Sequence, residues 1–112
     1  MKSIHLGKKK VVEFAMNDME CIATLDNYAI DHFQKHNKKG LLSAMEEMKK
    51  ENVTVIIQLL GSMIREKKNN RIVGEKYLRQ FDTFDILSAL TPILTELFPD
   101  NLPTASNDSE KK

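Results

Sequence analysis

The stretch that follows Asn52 has almost no side to offer water. On a helical wheel, Val53, Val55, Ile56, Ile57, Leu59, Leu60, Met63 and Ile64 cover roughly 200° of the circumference, far more than the one apolar stripe of a surface helix. With Asn52 as its N-cap, this helix is predicted to run from Val53 to about Lys68. It must lie at the centre of the fold, or it must also meet a partner. Either way the rest of the chain has to surround it. A chain of 112 residues is long enough for one domain that buries about two thirds of its open-chain surface. With no Trp, two Tyr, five Phe and six Met, the core must be mostly aliphatic, with Met as filler.

The chain before this helix changes period once. Val12, Phe14 and Met16 alternate with Glu13 and Ala15, the two-residue repeat of a half-buried strand. Asn17-Asp18 interrupts with residues that tolerate tight-turn dihedrals, and Met19–Leu25 is again strand-compatible. Residues 10–25 are therefore predicted to form a β-hairpin. Two strands alone are marginal in water, so the hairpin must pack on helices or pair with another strand, such as Ile4-His5-Leu6 or one from a partner. From Asp26 the period is helical. Asp26 or Asn27 caps a helix to His36, ended by Gly40 as a C-terminal glycine. A short helix from Leu41 to Lys50 follows. After the central helix come a helical turn near Glu75–Gln80 and a last helix, opened by Asp82 with Asp85 and ending at Phe98, with a kink or break at Pro92. The expectation is a mainly α domain over residues 1–98: a hairpin, then a bundle of about four to five helices over 26–98. Residues 99–112 are polar and aperiodic and read as a disordered tail.

Little in the chain suggests chemistry. His32 and His36 have the i, i+4 spacing that reaches one metal, but Phe33 stands where a zincin carries Glu, and both rings flank the apolar Ala29/Phe33 stripe, the border of a core. Cys21 sits in a strand's apolar alternation and reads as a small core residue. The four glycines form no phosphate-cradling loop, and Asp82 with Asp85 is explained by capping. No catalytic, cofactor or metal residue is assigned, and no enzyme is expected. Seventeen basic residues against sixteen acidic ones give a net charge of +1, and the lysine clusters lack interleaved aromatics, so nucleic acid is an improbable partner. The lone cysteine suits a reducing cytoplasm, the first residues lack a signal peptide's apolar segment, and no run of apolar residues is long enough to span a membrane.

The last helix points outward. Its apolar residues cover about half its circumference. Leu87, Leu90 and Leu94 sit mid-arc and are expected to face the core. Ile86, Ile93 and Leu97 form one flank, and Phe84 and Phe98 the other. These five flank residues are the candidate partner-binding set, since a small core cannot hide both flanks.

The order of a short hairpin, the lead-in Leu25-Asp26-Asn27-Tyr28-Ala29-Ile30-Asp31-His32-Phe33, several helices ending near Leu97-Phe98, and a polar tail resembles the tail assembly chaperones of long-tailed phages and prophages of Gram-positive bacteria. The resemblance spans about residues 8–98 and brings no fixed residue signature. It implies a non-enzymatic protein of the host bacterial cytoplasm that binds the tape measure protein during tail morphogenesis, with the tail tube protein and a second copy of itself as further partners. A different reading is a small phage protein of helix-turn-helix type that binds DNA or modulates transcription, using the helices joined by Glu51-Asn52.

Overall fold

The computed structural model describes residues 1–98; the expected tail, 99–112, lies outside them. Strands β1 (Val12–Met16) and β2 (Met19–Ala23) pair in the register Val12↔Ala23, Phe14↔Cys21, Met16↔Met19. Asn17 (φ 48°) and Asp18 (φ 67°) are both left-handed, the two-residue turn whose twist matches that of the strands. Val12, Phe14 and Met16 are half-buried, and Glu13 and Ala15 are exposed, as the alternation requires.

Helix α1 (Asn27–Asn37) is capped by Asp26, whose carboxylate accepts the Ala29 N–H at 3.0 Å. Its left-handed C-terminal residue is Lys38 (φ 51°), not Gly40. Gly40 instead has an extended φ of −73° and begins α2 (Leu41–Lys49), so the expected glycine stop is corrected. The turn closes before Gly40 is reached, through the Lys38 N–H on the Gln34 carbonyl. Asn52 caps α3 (Val53–Met63) by accepting the Val55 N–H at 3.3 Å, and its Nδ2 donates to Glu47 at 2.9 Å. Helices α1, α2, α4 and α5 all pack on α3, which is the central helix.

The expected extension of this helix to Lys68 does not occur. Ile64–Glu66 leaves the helix as a third strand, β3, antiparallel to β2 with Ala23↔Ile64 and Cys21↔Glu66. The sheet order is β1-β2-β3. The hairpin thus finds its third strand in this chain, and not in Ile4-His5-Leu6 or a partner. The Thr24 N–H donates to Met63 at 3.2 Å and the Lys67 N–H to Glu20 at 2.9 Å, fastening both ends of β3. Strand pairing overrides local helical pattern here because it satisfies β2's outer edge while keeping Ile64 fully buried.

Beyond β3, the chain returns as α4 (Gly74–Leu78) and α5 (Thr83–Leu97). Gly61, inside α3, is where α4 comes closest: a Cβ there would stand 2.4 Å from the Glu75 nitrogen and 2.6 Å from the Gly74 carbonyl carbon. Helix α5 opens on Asp82, which accepts the Asp85 N–H at 3.0 Å, and runs unbroken through Pro92. Pro92 and Ser88 are both exposed, so the carbonyl that Pro92 leaves without its donor can be hydrated.

One buried charge ties the sheet to the helices. Arg65, 4% exposed, donates through Nη2 to the Asp26 carboxylate, and its guanidinium carbon lies 4.7 Å from the Tyr28 ring centroid. Its Nε has no hydrogen-bond partner. Burial pushes the Asp26 carboxyl up, but the bond from Arg65, the bond from Ala29 N–H and the Arg65 charge together hold it below the usual carboxylate range.

Two substitutions test this architecture. Gly61→Ala gains roughly 1 kcal/mol of helix propensity but drives a methyl group into the α4 backbone. A net loss of about 2 kcal/mol, or roughly 8 °C in Tm, is expected in a thermal melt. Asp26→Asn keeps the capping oxygen and strands the Arg65 charge, and should cost about 3 kcal/mol by urea denaturation. Adding Arg65→Met to that variant should recover part of the loss.

Candidate functional site

Helix α5 faces the core through Ile86, Leu90, Ile93 and Leu94, and Phe98 just beyond it is also buried. Ile86, Ile93 and Phe98 are therefore corrected as free-surface residues. Phe84, 76% exposed, and the half-buried Leu97 remain accessible. The helix is rotated toward Ile86 and Ile93 because it packs on two elements, α3 and the inner face of β1, whereas a wheel centres the arc on a single neighbour. Leu87, expected at the middle of the core face, is turned to its edge and is half-buried.

That rotation opens a groove. Met48 from α2, Glu51, Val53 and Ile56 from α3, and Leu87, Thr91 and Leu94 from α5 line a cavity of about 250 Å³. Val53 is 40% exposed. Leu87, Thr91 and Leu94 form the α5 wall; Phe84, at i, i+3, i+7 spacing with Leu87 and Thr91, lies on the same helix face one turn beyond the lining and is exposed. Glu51, held at φ 59°, places the one carboxylate of the lining at the end of α2. Such a site can take a short row of apolar side chains. Sequence reasoning located the helices and Phe84 but missed Val53, Ile56 and Leu87 as lining residues, because wheels do not say where two helices part.

The histidines lie elsewhere, in a cleft of about 330 Å³ between α1, α3 and the start of α4. His32 Nδ1 meets Ser62 Oγ at 2.8 Å. His36 Nδ1 donates to the His32 carbonyl at 2.9 Å. The rings stack with centroids 3.9 Å apart. Ser62 is 1% exposed, so its hydroxyl positions His32 and is closed to a substrate. Among the described residues no three His, Cys, Asp or Glu side chains come together as a metal site. Burial pushes His32 down from the ordinary imidazole value, the neighbouring His36 pushes the same way, and Asp31 partly opposes them. Cys21 is 1% exposed, and burial together with Glu66 pushes its thiol up, the opposite of what a reactive thiolate needs.

Comparisons of the chain with protein-family models, with curated proteins and with solved structures find no match.

The histidine arrangement carries a pH signature. Because folding lowers the affinity of His32 for a proton, the unfolded chain binds more protons as pH falls below about 6.5. Stability is full above that value and declines as pH drops through the lower folded value. Urea midpoints measured from pH 8 to pH 5 should fall in the wild type, and His32→Gln should flatten that part of the curve.

Proposed function

We propose that this protein is a non-enzymatic tail assembly chaperone of a phage or prophage, acting in the host cytoplasm, and that the groove between α3 and α5 holds apolar segments of the tape measure protein. The observation that carries the reading is an apolar groove bounded by Val53, Ile56 and Leu87, with the exposed Phe84 on the same face of α5 just beyond it. A long amphipathic helix awaiting its partners exposes apolar residues at i, i+3, i+4 and i+7, and a groove lined by aliphatic side chains accepts that row. Affinity at so small a site is modest, which suits a chaperone that must let go as tube subunits arrive. No helix among the described residues is long and apolar enough to cross a membrane.

The helix-turn-helix alternative needs α3 as its reading helix. Val55, Ile57, Leu59, Leu60 and Met63 are each at most 1% exposed, which leaves α3 little polar surface to bring to base edges.

The test is a pull-down, followed by calorimetry, against the tape measure protein encoded in the same genome. Phe84→Ser and Leu87→Glu should weaken binding about tenfold or more, the scale of losing one apolar anchor. Phe84→Ser should leave the melt unchanged, since Phe84 buries little. Wild-type protein that does not bind, or binding indifferent to both substitutions, overturns the proposal.

A further inference from the structure

Strand β1 lies at one edge of the sheet. In a hairpin with a two-residue turn, Met16 and Met19 exchange backbone hydrogen bonds, and so do Phe14 with Cys21 and Val12 with Ala23. The N–H and C=O groups of Glu13 and Ala15 therefore point away from β2, and no backbone or side-chain hydrogen bond among the described residues reaches them. The edge Val-Glu-Phe-Ala-Met holds no proline, lysine or bulge; its defences are its length of five residues and the charge of Glu13, whose carboxylate pairs with Lys67 of the same chain at 3.1 Å. On the inner face Val12, Phe14 and Met16 stay half-buried while their neighbours Cys21 and Ala23 are buried.

We propose that this edge pairs with the same edge of a second copy of the chain, antiparallel about a two-fold axis at Phe14, joining two three-stranded sheets into one of six. This self-association is separate from the groove and does not depend on what the groove binds. The choice of occupant rests on self-complementarity. With Phe14 opposite Phe14 of the second copy, Glu13 faces Ala15 and Ala15 faces Glu13, so the outward groups form four backbone hydrogen bonds. Val12 falls opposite Met16, extending the inner apolar face, and the two Phe14 rings meet at a non-hydrogen-bonded position, where cross-strand side chains lie closest. Lys10 arrives beside Asp18 of the second copy, a pairing of opposite charges. Moving the axis to Glu13 would set two carboxylates face to face, and moving it to Ala15 would set Glu13 against Asn17 in the turn. Registers shifted by one residue would oppose outward groups to inward ones. An edge of five residues is short, so the dimer is weak and depends on concentration.

The test is sedimentation equilibrium of the purified full chain over a wide concentration range, with charge variants at a position exposed in the single chain. Ala15→Glu places two carboxylates opposite each other twice per dimer and should weaken association about fivefold. Ala15→Lys faces Glu13 of the second copy and should strengthen it. Ala15 faces Glu20 across the hairpin, so within one chain Ala15→Glu should lower the melt slightly and Ala15→Lys should raise it; the position is exposed, both variants fold, and association is compared at a temperature well below both melts. A wild-type chain that stays monomeric throughout, or a dimer that both variants leave unchanged, overturns the proposal.

Discussion

Helix α3 is covered over most of its circumference: Val55, Ile57, Leu59, Leu60 and Met63 project in different directions around its axis, each at most 1% exposed, while Val53 and Thr54 at its start meet water. Burying a side chain of this kind is worth about 1.5–3 kcal/mol, so the elements around α3 are placed by the need to cover it. Helices α1 and α2 lie against it, α4 reaches it at Gly61, and α5 closes another side. The glycine is the condition for the α4 contact. Only a residue without Cβ lets the backbone at Gly74 and Glu75 approach so closely, and that approach is what Ser62 and the histidine cleft are built beside.

Where α3 ends, one ion pair joins its continuation to the first helix. Asp26 serves twice, accepting the Ala29 N–H to start α1 and holding Arg65 of β3. A charge as deeply buried as Arg65 gains little net stability over an apolar side chain of the same shape, but losing one partner is costly. Tyr28, in the first turn of α1, covers the guanidinium. The start of α1 is therefore locked over the outer face of the sheet at one register.

These constraints leave two surfaces uncommitted. Because α5 must satisfy both α3 and β1, its axis turns until Leu87 and Thr91 face across a gap to Val53 and Ile56, and the groove is the space that remains. Because β3 joins the sheet on the β2 side, β1 keeps a free edge. The groove is apolar and shallow and the edge is made of backbone groups, so the two differ in what they can recognise. One suits the apolar row of a helix, and the other suits a strand.

Much of the fold was legible because it is local. The alternation of Val12, Phe14 and Met16, the left-handed tolerance of Asn17-Asp18, and the caps Asp26, Asn52 and Asp82 act within a few residues of themselves, so sequence alone determined the hairpin, its turn and the starts of three helices. The width of the apolar arc after Asn52 likewise determined that α3 is central. Three features were decided only by tertiary structure. Ile64–Glu66 reads as helix until β2, some forty residues earlier in the chain, offers it an edge. Lys38 takes the left-handed position because the chain must turn there into α2, although Gly40 would adopt it at lower cost. The inward face of α5 depends on two neighbours at once, which moved Ile86, Ile93 and Phe98 into the core and left Leu87 on the groove wall and Phe84 exposed beyond it. A side chain's period states which residues share a face; only packing against distant elements states which way that face looks.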